Sequence, residues 1–290
     1  MNCFKLLLTS FLLSGSLFAV TPAGNSVPAI VPITWLQKNI DNKNLVLIDL
    51  RNYDTYKKGH IAGSFNMPAI KSLFDKKFMM PKLDLLQKLF SDAGIDSKSQ
   101  VVAYGDGSFI WSARLYWVLE ILGHDNVGIL NVGYGNWEKD TIALSNKDSV
   151  IKRTNFIPRV DNTKIQTKLS TLMAINKKTI IDGRKVAHYE GKESLAKRFG
   201  HIPTALNYAC TQNYQVAASG NKMKDLKDLK ALYKDLPKDK EIILYCDGGA
   251  EAALNYIVLQ ELGYKASVYD GSWLEWGNDD SVPIENMQKK

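Results

Sequence analysis

Short runs rich in β-branched residues alternate along the chain with longer segments in which apolar residues recur at helical spacing. Residues 45–49, 100–104, 179–182 and 241–245 are apolar runs bounded by polar turns, and they read as buried parallel strands. Residues 82–93, 112–122, 222–236 and 250–262 carry helical periodicity. Gly123 and Gly263 stand where helix C-terminal glycines belong. Strand and helix alternate, so the pattern predicts an α/β fold, a parallel sheet with helices on both faces. Residues 141–168 are polar, hold Pro158 and lack a clear period, which predicts a linker.

The pattern occurs twice, with matching residues. Leu45 to Arg51 (LVLIDLR) returns as Thr179 to Arg184 (TIIDGR), and Gly59 to Asn66 (GHIAGSFN) as Gly200 to Asn207 (GHIPTALN). Val101 to Gly107 (VVAYGDG) returns as Ile242 to Gly248 (IILYCDG), and Trp137 as Trp276. Matched positions lie 133 residues apart at Asp49 and Asp182, then 141 apart at His60 and His201 and at Gly105 and Cys246. One insertion of about eight residues near 192–199 explains the change, and a duplicated domain explains the rest. The expected organisation is a first domain over 27–140, the linker over 141–168 and a second domain over 169–285.

The first 23 residues change the picture of where the protein works. A short basic start precedes an apolar core from Leu6 to Val20, shorter than the roughly 20 residues of a membrane span. This reads as a secretory signal cut after Ala19 or Ala23, with export to the bacterial periplasm and no membrane contact after cleavage. Cys3 leaves with it, so the mature chain keeps Cys210 and Cys246, too few for a disulfide scaffold. The formal net charge is +7, carried mostly by Lys. Lys222 to Lys240 holds much of it, but Asp225, Asp228, Asp235 and Asp239 are interleaved, with Leu226, Leu229, Tyr233 and Leu236 at helical spacing. That is the solvated face of an amphipathic helix, and no nucleic-acid partner is expected.

Cys246 ends a predicted strand and precedes a predicted helix, the edge at which parallel sheets bind ligands. Gly248 and Gly249 let the backbone curl so that successive N–H groups face inward, and the helix from Ala250 adds a positive dipole end. A thiol there is expected to have a lowered pKa. Taken alone, the motif fits an inert buried cysteine equally well. The repeat separates the two readings, because the first copy has Gly105 at the same place: one active domain and one silent domain.

At this level the sequence resembles the tandem rhodanese-type sulfurtransferases. The resemblance rests on the Asp-x-Arg strand ends, the Gly-His-Ile segments, the Tyr-Cys-x-x-Gly-x-x-Ala loop and Tyr269 to Trp276 (YDGSWLEW), and it covers nearly all of the chain after the leader. It implies two tandem rhodanese-like domains and a Cys246 that accepts a sulfane sulfur as a persulfide, cradled by Asp247, Gly248, Gly249, Ala250, Glu251 and Ala252. The expected activity is transfer from a donor of thiosulfate or 3-mercaptopyruvate type to a thiol or cyanide acceptor, a protein thiol included, by double displacement. His188, Lys197, Arg198 and, across the domain interface, His60 are the candidate donor-binding residues. Asp182 with Arg184, and Asp49 with Arg51, are the expected structural supports.

The loop departs from both familiar subfamilies. Asp247 stands where thiosulfate enzymes carry a basic residue, and Gly248 where mercaptopyruvate enzymes carry a hydroxyl. Glu251 replaces a common threonine. Acids facing the pocket would raise the thiol pKa and favour neutral, cationic or protein-thiol substrates. Cys210 lies on the active-site side and is expected as a buried free thiol, with a disulfide to Cys246 as the alternative. Cysteine phosphatases and arsenate reductases share the fold by resemblance, but Ala252 stands where they place an arginine, so no guanidinium clamp is available. The remaining alternative is a non-catalytic or protein-partnered sulfur-carrier module. The histidines and cysteines show no metal-ligand spacing and no nucleotide-binding glycine pattern follows a strand, so neither metal nor cofactor is expected. Two copies able to pack on each other predict a monomer.

Overall fold

The computed structural model describes residues 26–133, 142–218 and 220–289. The expected signal segment and Trp137 lie outside them. Each half is built on a five-stranded, all-parallel sheet. The first runs in the order Ile30–Val31, Val127–Leu130, Gln100–Tyr104, Leu45–Asp49, Phe65–Asn66. The second repeats it as Ile165–Gln166, Ala266–Tyr269, Ile242–Tyr245, Thr179–Asp182, Leu206–Asn207. The central strands are buried throughout, as runs with no polar face require.

Two differences from the expected elements have plain causes. The helix expected over 222–236 is shorter, Leu226–Leu232, because Lys222–Met223 pairs antiparallel with Tyr214–Gln215. The expected linker is not free either. Leu144–Ser145 pairs with His60–Ile61, Phe156 is buried, and the Arg159 N–H donates to the Leu122 carbonyl at 2.8 Å. Its last part, Ile165–Gln166, is the edge strand of the second sheet.

Both domains share an internal brace. Arg51 holds Asp49 through two nitrogens and donates to the Gly59 carbonyl at 2.7 Å; Arg184 does the same to Asp182 and to the Gly200 carbonyl at 2.8 Å. Tyr104 and Tyr245 hydroxyls accept the N–H groups of Ile61 and Ile202, at 3.1 and 3.0 Å. His60 stacks on Tyr56 and His201 on Tyr189, with ring centroids 3.5 and 3.9 Å apart. The supports expected at Asp49, Arg51, Asp182 and Arg184 therefore serve strand ends in both copies.

The helices Ile110–Ile121 and Ala250–Glu261 pack on one another and join the domains in one continuous core. Both are apolar nearly all round, as helices enclosed on every side must be. Among the described residues no helix is long and apolar enough to cross a membrane.

Candidate active site

The strand Ile242–Tyr245 delivers Cys246 to the start of the helix Ala250–Glu261. Three residues, Cys246 to Gly248, make the turn, and Gly249 caps the helix at φ +83°. A Cβ at Gly249 would also lie 2.7 Å from Arg114 Nη1, so glycine is required there twice over. The Gly249 N–H donates to Cys246 Sγ at 3.0 Å. The Gly248 and Ala252 amides also favour the sulfur anion. The segment after the neighbouring strand holds the loop from behind. Ser272 Oγ accepts the Cys246 N–H at 3.2 Å, and the Trp273 and Leu274 amides donate to the Cys246 and Asp247 carbonyls, each at 2.9 Å.

The amide cradle is present, but the expected lowered pKa is not. Burial, with the Glu251 and Asp247 carboxylates adding to it, pushes the Cys246 thiol up to about 12, against the opposing pull of the cradle amides. The resting site therefore holds a thiol. Glu251 is pushed up to about 7 by burial and by Asp247 and Asp182, while the Asp247 N–H donates to its carboxylate. Asp247 is also raised, by burial, with Arg184 and His188 pulling the other way.

His188 lies at the site and binds Asp247: its Nδ1 is 2.9 Å from Asp247 Oδ2. Arg198 and His60 are corrected by the structure. Arg198 donates to the Val282 and Trp276 carbonyls at 2.9 and 2.7 Å and is committed to clamping the C-terminal segment. His60 is fully buried in its own domain, Nδ1 2.8 Å from the Tyr56 carbonyl, and cannot be offered to a donor. Lys197 is exposed, and its backbone N–H is tied to Asn278. Cys210 and Cys246 are both free and buried; burial, Glu251 and Cys246 raise the Cys210 pKa.

The first domain contributes residues that sequence reasoning missed. Arg114, fully buried, places Nη1 2.6 Å from Asp270 Oδ1, and the Met80 N–H donates to Asp270 Oδ2 at 2.7 Å. The guanidinium lies over Phe74 and Trp117, at 4.5 and 4.7 Å from the ring centroids. Phe78, at φ +58°, closes over Gly248, its Cβ 3.6 Å from where a side chain there would begin. The available signal was a lone arginine inside the otherwise apolar IWSARLYWVL.

In the first domain the matching turn is one residue longer. Gly105 to Ser108 separate Tyr104 from the helix cap, and Phe109, at φ +63°, takes the place of Gly249. No thiol fills it, and a cavity of about 500 Å³ opens there, lined by Arg51, Thr55, Ala69, Gly105, Asp106 and Trp111 among others. The corresponding positions in the second domain are Arg184, His188, Cys210, Cys246, Asp247 and Glu251. Among the described residues, no group of three or more His, Cys, Asp or Glu is placed to hold a metal ion.

Two copies of one parallel-sheet scaffold, a single thiol in an amide cradle on one and a glycine on the other, define a duplicated single-thiol transfer fold. The family description "Rhodanese-like domain" matches residues 32–140 and 166–279, and the chain belongs to the rhodanese family of sulfurtransferases. A putative thiosulfate sulfurtransferase of Mycobacterium leprae is 31% identical over 271 residues, covering 88% of this chain and 97% of the relative. The thiosulfate sulfurtransferase of Pseudomonas aeruginosa is 26% identical over 90% of this chain and 98% of its own. The 3-mercaptopyruvate sulfotransferase of Escherichia coli superposes with a TM-score of 0.75 at 26% identity, covering 85% of this chain and 99% of that one. The anaerobic ergothioneine biosynthesis enzyme of Chlorobium limicola, at TM-score 0.79 and 22% identity over 89% of this chain and 70% of that one, shares the fold.

Proposed function

We propose that the protein moves a sulfane sulfur from a small donor, of the thiosulfate or 3-mercaptopyruvate kind, to a thiol or cyanide acceptor through a persulfide on Cys246. The observation that carries the reading is the Cys246 sulfur at the closed end of an amide cradle, opposite a copy that has glycine there. Cys246 gives up its proton and attacks the donor's outer sulfur; the donor's own bond to that sulfur breaks and its remainder departs with the electron pair. The acceptor repeats the exchange on the persulfide and restores the thiol. The cradle amides suit the anionic sulfur in each half-reaction. Export to the bacterial periplasm and action as a monomer belong to the same proposal.

The test is thiocyanate formation from cyanide and a sulfur donor by the signal-free protein and by Cys246→Ser. The wild type is expected to turn over and the variant to give only background. Equal rates would remove Cys246 from the mechanism.

A further inference from the structure

The charges around Cys246 narrow the donor, given the persulfide reading above. Four cations near the loop are each committed to a carboxylate. Arg184 holds Asp182, His188 holds Asp247, Arg114 holds Asp270 and Lys185 holds Glu193. Among the described residues Glu251 forms no ion pair; the cations that act on Asp247 and Glu251 are Arg184, His188 and the exposed Lys185, which is itself paired with Glu193. Beside the thiol, Arg184 Nη1 and Asp247 Oδ1 are 3.8 Å apart, beyond hydrogen-bond reach, and among the described residues neither has a hydrogen-bond partner. Arg184 is wholly buried and the Asp247 side chain largely so. The open Asp247 Oδ1 is complementary to a group that donates, while the Arg184 charge is already balanced by Asp182 and Asp247. Lys76 and Lys77 line a cleft of about 470 Å³ between the domains together with Phe78 and Leu274, which also lie over Gly248, so these lysines stand on the far side of that cover from the thiol's carboxylates.

We propose that Asp247 and Glu251 set donor specificity, selecting small organic persulfides with an uncharged or ammonium-bearing leaving group over the thiosulfate dianion. The ammonium donates to Asp247 Oδ1 and is attracted by the Glu251 carboxylate, the two groups that repel a dianion. The transfer balances without an oxidant. Cys246 Sγ bonds to the terminal sulfur of R–S–SH, the donor's S–S bond breaks, and the proton lost by Cys246 ends on the departing R–SH. Asp247 and Glu251 act on the incoming molecule by charge, which is a specificity role distinct from that of the nucleophile.

The experiment uses three persulfides of similar length, made from 2-mercaptoethylamine, 2-mercaptoethanol and 3-mercaptopropionate, with thiosulfate as the fourth donor. The rate of sulfur loading on Cys246 is followed by mass spectrometry. The expected order is cation, neutral, anion, then thiosulfate, with about tenfold between the cationic and anionic persulfides. Glu251→Gln and Asp247→Asn are each expected to flatten that ratio and to speed loading from thiosulfate. Loading by all four donors at rates indifferent to charge, or a ratio unmoved in both variants, overturns the specificity assignment and leaves the persulfide reading standing. Failure of every donor to load a Cys246 that alkylates freely overturns both.

Discussion

The two halves carry the same brace and differ where a ligand would sit. Asp49 with Arg51 and Asp182 with Arg184 make the same bidentate pairs, and both Gly-His-Ile segments are held by a tyrosine hydroxyl. At the turn, the second half has three residues, a thiol and a glycine cap; the first has four, no thiol and Phe109 at the cap. Duplication preserved what holds the strands and released what does chemistry. The first half is nonetheless part of the site. Arg114, Met80 and Phe78 brace the Cys246 loop from across the interface. The first copy is thereby a scaffold for the cysteine loop of the second.

The comparison breaks most directly at the thiol. Cys246→Ser is expected to lose sulfur transfer entirely, and adding Gly105→Cys to that variant is expected not to restore it, since the longer turn and Phe109 do not rebuild the cradle. Thiocyanate assays on both variants measure this. Recovery in the double variant would mean that the first turn can serve as a cradle after all.

The interdomain brace comes next. Arg114→Met leaves Asp270 buried without its cation, which costs about 3–5 kcal/mol in urea unfolding and slows sulfur transfer. Arg114→Met with Asp270→Leu is expected to regain much of that stability, because both charges are then gone. A single variant as stable as wild type would show that the brace is dispensable.

Glu251 gives a smaller, pH-dependent effect. Its folded pKa lies near 7 against an ordinary 4.5, so folding opposes its ionisation. The sign follows: this contribution is fully present below about pH 4.5 and is lost as pH rises through 7. Glu251→Gln is expected to be less sensitive to pH over that window and more stable than wild type by about 1–3 kcal/mol at pH 8, read from denaturation midpoints. Parallel pH profiles for the two proteins would contradict it.

Cys210 sharpens the comparison least. Its counterpart is Ala69, so Cys210→Ala copies the first half at one position. The variant is expected to lose about 1 kcal/mol of packing and to load sulfur on Cys246 at an unchanged rate. Loss of loading would give Cys210 a part in the chemistry.

What the sequence made legible followed local rules. The strands over residues 45–49, 100–104 and 179–182 were bounded correctly because buried parallel strands are short apolar runs between polar turns. The loop after Tyr245 was legible because a strand end, a glycine pair and a helix start follow one another. What was missed depends on distant partners. Arg114 meets Asp270 across 156 residues, and no local pattern reports that pairing. The thiol pKa was misjudged for a related reason. The amides that lower it are local, while the burial that outweighs them comes from packing of the whole domain. The helix over 222–236 was overextended because periodicity cannot see that Lys222–Met223 has a strand partner.

The most direct test of the central claim is peptide mass spectrometry of the signal-free protein after exposure to thiosulfate, 3-mercaptopyruvate and an organic persulfide. The account predicts the mass of one added sulfur on Cys246, removed by cyanide or a thiol, and none in Cys246→Ser. Sulfur on Cys210 alone, or none on an accessible Cys246 with any donor, would contradict it.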